Sequence, residues 1–391
     1  MKSKKAFIFT LLYTLVLHCV VHFVLPVIIP GLFTDGVSSF TPDVGKFHNL
    51  ACNGESNITL SGNVVIFVIK IFYDLFGICN VALSGYLGVM LISIAGYLII
   101  DTFSVYLKKK VLLSYLLIIS LPSVINWYLF LNKESFIFLG LCFIYNFLFF
   151  TRNRNIAYDL FFIMIGVTII LVTKFYYSYY LLFISLTILI ISLIKKDRTL
   201  LKKSLVSLVT ILITANFAKN VGVFDRASVV SNQKNSVNLV YEKSNFNKLF
   251  SMPLYARSYY LSRQKGDSDV DRDLFFKRYR DLFAYIPRLT YLSFFYPSPK
   301  DYSFSSLRSI MISIQSLIIG TAVIFSVLAL FRNIYLLPLF IVIEVICFSV
   351  PNVGSYYRYR DPFLIFILTY GLCNLQNFIE KYRLTLCQIK R

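Results

Sequence analysis

Basic and aromatic side chains are concentrated in two stretches of the chain, residues 219–305 and 351–362. The first holds fourteen Lys or Arg against eight Asp or Glu, and the second places Arg358 and Arg360 among tyrosines. Arginine forks match phosphate oxygens, and tyrosines offer flat platforms and hydroxyls to sugars. These stretches indicate a site for an anionic, sugar-bearing molecule, with a solvated basic surface as the alternative. The candidate binding residues are Lys133, Lys174, Arg257, Arg263, Arg288, Tyr357, Arg358 and Arg360.

Two carboxylates are the candidate catalytic groups. Asp43 follows Pro42 in a polar stretch, where it could act as a general base towards a sugar hydroxyl or simply form a turn. Glu134 follows Lys133, and it could orient that lysine or only complement a helix dipole. Glu344 lies within an apolar run, where an ionisable group has either a functional role or a buried hydrogen bond.

The sequence predicts neither a metal site nor a cofactor. Its three histidines, His18, His22 and His48, are too few and too scattered for a zinc site, and no cysteine pair has metal-ligand spacing. No phosphate-binding loop or nucleophile motif is present, and the positive charge has no nucleic-acid-binding motif beside it. Cys52 and Cys79 are expected on the same outer side, a placement that permits a disulfide without requiring one.

The composition indicates that most of the chain is surrounded by lipid. Hydrophobic residues make up 57% of the 391 positions and charged residues only 15%. Soluble domains carry roughly 45–50% apolar and about 25% charged residues. We therefore expect an all-α polytopic membrane protein. A span needs about 20 apolar residues, which predicts ten spans. They are 6–29, 79–100, 111–131, 134–150, 156–173, 177–194, 204–218, 309–331, 335–350 and 363–378.

The orientation of these spans follows from the basic clusters between them. Short loops rich in Lys and Arg remain in the cytoplasm, and ten spans place every such cluster on one side, with both termini cytoplasmic. The clusters are Lys2/Lys4/Lys5, Lys108–Lys110, Arg152/Arg154, Lys195–Lys203, Arg332 and Lys381–Arg391.

The predicted organisation is a single membrane domain over 1–391. Its first outer loop, 30–78, contains an interfacial amphipathic helix at 63–76. A long outer, periplasmic loop with short helices covers 219–305.

Four short stretches, scattered from about residue 40 to 365, resemble bacterial Wzy-type repeat-unit polymerases and the wider GT-C class of polytopic glycosyltransferases. The stretches are Asp43 with Phe47 and Ala51; Pro122-Ser123 and Trp127 before Lys133-Glu134; Gly266–Asp271 with Tyr285-Ile286-Pro287-Arg288 and Phe294–Pro299; and Pro351–Gly354 with Tyr357–Arg360. The resemblance implies an Asp in the first outer loop that activates the acceptor, here Asp43. It also implies cations that hold a lipid pyrophosphate, here Arg288, Arg358 and Arg360.

The expectation is thus a membrane glycosyltransferase that polymerises polyprenyl-pyrophosphate-linked oligosaccharide repeat units in O-antigen or exopolysaccharide biosynthesis. It would be a multi-pass protein of the bacterial inner membrane with a periplasmic active face and membrane lipid around it. A chain-length regulator and a flippase of the same pathway are its expected protein partners. The alternatives are a GT-C transferase that adds a single sugar, a transporter or flippase for a lipid-linked glycan, and a non-catalytic scaffold.

Overall fold

The computed structural model describes most of the chain, but little of the segment between residues 221 and 278. The described residues are 3–28, 33–34, 37–38, 42–53, 60–103, 108–149, 156–174, 176–220, 257, 271, 279–296, 307–350 and 353–389. They form two compact units, one of Met1–Val223 with Gln376–Arg391 and the other of Phe224–Leu375. Most of the predicted loop 219–305 lies outside the described residues.

Within its described residues the first unit contains eleven complete helices and a short hairpin, in which Phe33–Thr34 pairs with Val37–Ser38. The helices are α1 Ser3–Cys19, α2 Leu25–Ile28, α3 Pro42–Cys52, α4 Leu60–Phe76, α5 Val81–Thr102, α6 Lys108–Ile119, α7 Pro122–Leu129, α8 Lys133–Phe149, α9 Ile156–Thr173, α10 Tyr177–Ile194 and α11 Arg198–Asn220. A π-helical segment at Val20–Val24 joins α1 to α2. Pro26 explains this segment, because a proline ring clashes with the carbonyl four residues earlier and widens the helix there.

α6 and α7 form a bent pair rather than the single straight span predicted at 111–131. Their axes differ by 79° across a break at Ser120 and Leu121. Leu121 is extended because it precedes Pro122, and proline disfavours helical geometry in the residue before it. The pair is a broken span or a re-entrant loop, and a proline at the start of α7 was the sequence signal for it.

α3 and α4 fold onto the start of α5. Val65, Ile66, Ile69 and Tyr73 bury one face of α4 against Ala51 of α3. A disulfide joins Cys52, at the end of α3, to Cys79, just before α5. α4 covers the predicted interfacial helix 63–76, and its apolar side chains Phe67, Ile71 and Leu75 are exposed.

Small and hydroxylated residues bring neighbouring helices close together, as in other membrane helix pairs. α8 and α9 cross where Gly140 faces Gly166, since a methyl group on Gly140 would lie 2.8 Å from the Gly166 carbonyl oxygen. α10 and α11 share a buried hydrogen bond of 2.8 Å between Ser185 and Ser207.

The second unit contains α12 Tyr279–Phe294, α13 Leu307–Leu328, two 3₁₀ turns at Leu330–Arg332 and Ile334–Leu336, α14 Leu337–Ser349 and most of α15 Val353–Ile389. Ser326 Oγ of α13 donates to the Ile367 carbonyl of α15 at 2.5 Å. Tyr370 Oη of α15 donates to the carbonyl of Ala329, the residue after α13, at 2.8 Å.

Six helices within the described residues are long and apolar enough to cross a bilayer, or seven if the bent pair is one span. They are Lys4–Ile28, Val81–Thr102, Tyr177–Ile194, Arg198–Ala218, Ile310–Leu328 and Arg358–Arg383. Ala157–Thr173 and Ile334–Ser349 are shorter apolar helices. This helical architecture, with several helices of membrane-spanning length, is that of a polytopic membrane protein. The count of ten spans and their orientation stay predictions.

Candidate functional site

The corner between α7 and α8 holds the first group of candidate residues. Leu131 has a φ of 43°, a left-handed conformation that costs a branched side chain roughly 1–2 kcal/mol. Asn132 then caps α8, since its Oδ1 accepts the Lys133 backbone N–H at 2.8 Å. The tight corner places Lys133 and Glu134 in the first turn of α8. Backbone strain of this kind persists where surrounding packing enforces it, and it is typical of functional sites.

Glu134 forms a buried ion pair with Lys174, which follows the end of α9. The Lys174 Nζ lies 2.7 Å from Glu134 Oε1, and the side chains are 10% and 2% exposed. The Lys174 ammonium also lies over the Tyr177 ring, 5.6 Å from its centroid. Forty residues separate the two charges in sequence, so the structure joins two candidates that sequence reasoning had named independently.

Lys133 connects this corner to α3. Its ammonium lies 5.2 Å from the centroid of the Phe47 ring. Asp43 is the second residue of α3 and precedes Phe47 by four positions, one helical turn. The Asp43 side chain itself lies outside the described residues. The structure therefore brings the helix that carries Asp43 to Lys133, the neighbour of Glu134.

Several polar atoms at this corner lack a hydrogen-bond partner among the described residues. They are Trp127 Nε1, Asn132 Nδ2 and Glu134 Oε2, and all three side chains are at most 3% exposed. An unpaired buried donor or acceptor costs about 1–3 kcal/mol, which makes each one a candidate for water or ligand. We name Glu134, Lys133, Lys174, Trp127 and Asn132 the corner site.

The second unit gathers two of the predicted arginines around Asp271. Arg257 is 3% exposed and donates to the carbonyls of Asp271 at 2.6 Å and Phe348 at 3.3 Å. Its guanidinium lies near the rings of Tyr285 and Phe348, at 5.9 and 5.5 Å. Arg257 therefore organises its own unit through backbone carbonyls.

Arg288 pairs with the Asp271 carboxylate and remains accessible. The Arg288 Nε lies 3.2 Å from Asp271 Oδ2, and the arginine side chain is 49% exposed. Tyr285 donates its hydroxyl to the same oxygen at 2.8 Å. Burial, followed by that hydrogen bond, raises the pKa of Tyr285, while the hydrogen bond to Asp271 raises the pKa of Arg288. Tyr285 thus stays protonated, and Arg288 stays charged with an exposed face.

Arg360 closes the end of α12. It is 1% exposed, and it donates to the carbonyl of Ser293 at 2.5 Å and to that of Leu292 at 3.4 Å. These carbonyls belong to the last turn of the helix, where four oxygens have no partner within the helix and a cation is favourable. Asp361 lies 3.6 Å from Arg360. Arg360 therefore caps the C-terminal end of α12, and its role at a phosphate stays a prediction.

The structure describes some of the remaining candidate residues and not others. Arg358 is half-buried, with its guanidinium 5.7 Å from the centroid of the Tyr359 ring. Tyr357 lies in α15, but its side chain is outside the described residues, and Arg263 is outside them entirely. Glu344 of α14 is half-buried and accepts a 2.7 Å hydrogen bond from Thr290 of α12.

The histidines are the group that sequence reasoning missed. His18 and His22 lie with their ring centroids 4.5 Å apart. His22 caps α7 by donating from Nε2 to the Leu129 carbonyl at 3.0 Å, and it contributes electrostatically to the environment of His48. All three histidines of the chain therefore gather at the end of α7. Only the four-residue spacing of His18 and His22 could have indicated part of this cluster.

Among the described residues, no group of three or more His, Cys, Asp or Glu side chains could hold a metal ion. Comparison with known proteins gives no match: no family model matches the chain, and neither does any curated protein or solved structure. The geometry of the two units and the residues of the chain are therefore the basis for a functional proposal.

Proposed function

We propose that this protein is a membrane glycosyltransferase that polymerises polyprenyl-pyrophosphate-linked oligosaccharide repeat units. The observation that carries the proposal is the corner site, where the buried Glu134–Lys174 pair and Lys133 lie beside the helix of Asp43. An intramembrane or near-membrane charge pair is costly to bury and is a functional candidate for that reason. The sequence resemblance supports the same chemistry.

In the proposed reaction, the hydroxyl oxygen of one lipid-linked repeat unit attacks the anomeric carbon of another. The bond from that carbon to the pyrophosphate oxygen breaks, and polyprenyl pyrophosphate leaves. Asp43 takes the hydroxyl proton as general base. Cationic side chains stabilise the negative charge that develops on the departing pyrophosphate. Arg288 and Arg358 suit this task better than Arg257 and Arg360, because the latter two donate to backbone carbonyls within their unit.

The proposed setting is the bacterial inner membrane, with ten spans, cytoplasmic termini and the active face in the periplasm. The Cys52–Cys79 pairing supports this orientation of the first outer loop, because disulfides persist in oxidising compartments such as the periplasm. Lipid-linked substrates would approach sideways from the bilayer.

The test is complementation of a strain that lacks the protein, read as the ladder of surface polysaccharide on a gel. Asp43→Asn, Glu134→Gln and Arg358→Ala are each expected to remove or shorten the ladder at normal membrane abundance. The exposed Lys202 of α11 provides the matched control, and Lys202→Ala should keep the full ladder. An unchanged ladder in Asp43→Asn and Arg358→Ala, both stably inserted, overturns the proposal.

A transporter or flippase for a lipid-linked glycan is the second candidate function. It is favoured by the buried ionisable groups of the first unit, since such groups mark solute or proton pathways in membrane proteins. A single-sugar GT-C transferase is distinguished by its product, which would be one added residue rather than a ladder. If this protein is a flippase, a strain that lacks it would accumulate unpolymerised lipid-linked units on the cytoplasmic face of the membrane.

A further inference from the structure

α3 carries Asp43, so whatever fixes α3 also fixes the proposed base. Three interactions hold α3 in place within the first unit. Ala51, which is 3% exposed, packs in the apolar cluster with α4. Cys52 is covalently joined to Cys79, with their Cα atoms 5.8 Å apart. His48, which is 4% exposed, forms hydrogen bonds to two other helices.

One tautomer of His48 satisfies both of these hydrogen bonds. With the Ser84 hydroxyl donating to the Val81 carbonyl at 2.8 Å, its oxygen accepts from His48 Nε2, 3.2 Å away. Nε2 therefore carries the proton and Nδ1 is the acceptor, which receives the hydroxyl proton of Tyr73. Tyr73 belongs to α4 and Ser84 to α5. One imidazole thus joins α3 to both neighbours, through one donated and one accepted bond.

Only a neutral imidazole can make this pair of bonds, because an imidazolium has two donors and no acceptor. Among the described residues, the titratable groups that face His48 are Tyr73 from α4 and His22 near the start of the chain, and neither brings a negative charge to a charged ring. The Phe130 carbonyl favours the charged ring, but burial outweighs it. Burial is the main reason that the pKa of His48 is lowered to about 4. The ring is therefore neutral at physiological pH.

We propose that His48 is a positioning residue, which holds α3 against α4 and α5 and thereby fixes Asp43 where the proposed reaction needs its base. Asp43 lies five residues before His48 on the same eleven-residue helix. Between them, Phe47 meets Lys133 of the corner site. Loss of the His48 hydrogen bonds would loosen α3 next to Phe47, where the Cys52–Cys79 disulfide and Ala51 alone would still hold the helix. The inference rests on the proposed function only for the role of Asp43.

The first test is independent of activity. Backbone hydrogen exchange of residues 42–52 is measured by mass spectrometry in the full-length protein, with His48→Ala and Tyr73→Phe as variants. Loss of a buried hydrogen bond to His48 should speed exchange in α3 about tenfold. The matched control is Tyr115→Phe, which removes another buried tyrosine hydroxyl, one that donates to the Ile92 carbonyl at 2.7 Å. Unchanged exchange of α3 in both His48→Ala and Tyr73→Phe overturns the proposal.

The second test separates positioning from a purely structural role. In His48→Ala, kcat for polymerisation should fall at least about tenfold at a temperature well below unfolding, with KM within about twofold. His48→Asn, which keeps an acceptor near the position of Nδ1, should recover part of kcat. In an Asp43→Asn background His48→Ala should cause no further loss, because both changes remove the same contribution.

The outcomes also separate this inference from the proposed function. If Asp43→Asn is inactive while His48→Ala keeps full kcat, the positioning role is wrong and the proposed base stands. If Asp43→Asn is fully active, the proposed base is wrong, and the exchange of α3 alone decides whether His48 positions the helix. Two further results contradict the positioning role. One is an equal loss of kcat and stability in His48→Asn and His48→Ala, and the other is a loss of kcat in His48→Ala that adds to the loss in Asp43→Asn.

Discussion

Removal of the Lys174 ammonium tests the buried ion pair of the corner site most severely. In Lys174→Met, Glu134 keeps a carboxylate that is 2% exposed and has lost its cation at 2.7 Å. The aliphatic part of the side chain is largely retained, so packing changes little. Taking one partner from a buried pair costs about 3–5 kcal/mol, because the remaining charge is desolvated without compensation. The first unit should therefore unfold more easily.

The assay is the loss of monodisperse protein on heating in detergent. A cost of that size corresponds to an apparent melting temperature lower by roughly 6–20 °C. Lys202→Met changes the same residue type at an exposed site and should stay within about 0.5 kcal/mol of the wild type. Adding Glu134→Gln to Lys174→Met removes the unpaired carboxylate charge, so the double variant should regain at least half of the stability lost in Lys174→Met. A Lys174→Met protein as stable as Lys202→Met, or a double variant less stable than the single one, would show that Glu134 is not left as a costly buried charge.

Three further predictions concern other contacts. Reduction of the Cys52–Cys79 disulfide, which closes a separation of 27 residues, should destabilise the first unit by about 3 kcal/mol, measured by heating with and without reductant. Arg360→Met should cost about 2–4 kcal/mol by uncapping α12, against almost nothing for the exposed Arg280→Met, and equal melting temperatures would contradict the cap. Burial lowers the pKa of His48 from 6.5 to about 4 in the folded protein, so on acidification the unfolded chain binds a proton at His48 before the folded protein does. The free energy of unfolding should therefore fall by about 3 kcal/mol as the pH drops from 6.5 to 4. An unfolding free energy that does not change with pH in that window would contradict this prediction.

The helical, membrane-bound character of the chain could be predicted because hydropathy reports the solvent around each segment. The break between α6 and α7 was not predicted, although Pro122 marks it, because an apolar run of sufficient length masks a local bend. Whether the remaining short apolar helices cross a membrane depends on lipid and partners, which length and composition alone do not describe.

The candidate site was predictable as residue types but not as pairs. Lys174 was named as a candidate cation and Glu134 as a candidate catalytic carboxylate, yet nothing in the sequence joined them across forty residues. Arg360 was expected at a phosphate because arginine suits that ligand, and nothing in its sequence context indicated that its donors also meet the carbonyls of α12. His48 was dismissed because the histidines are scattered in sequence. Tertiary packing alone brings it to Tyr73 and Ser84.

Polymerisation is measured most directly with the purified protein in vesicles supplied with polyprenyl-pyrophosphate-linked repeat units. We expect a ladder of lengthened glycans and one released polyprenyl pyrophosphate for every linkage formed, both lost in Asp43→Asn. Vesicles that move the intact lipid-linked unit across the bilayer without forming any linkage would contradict this expectation and establish the transporter instead.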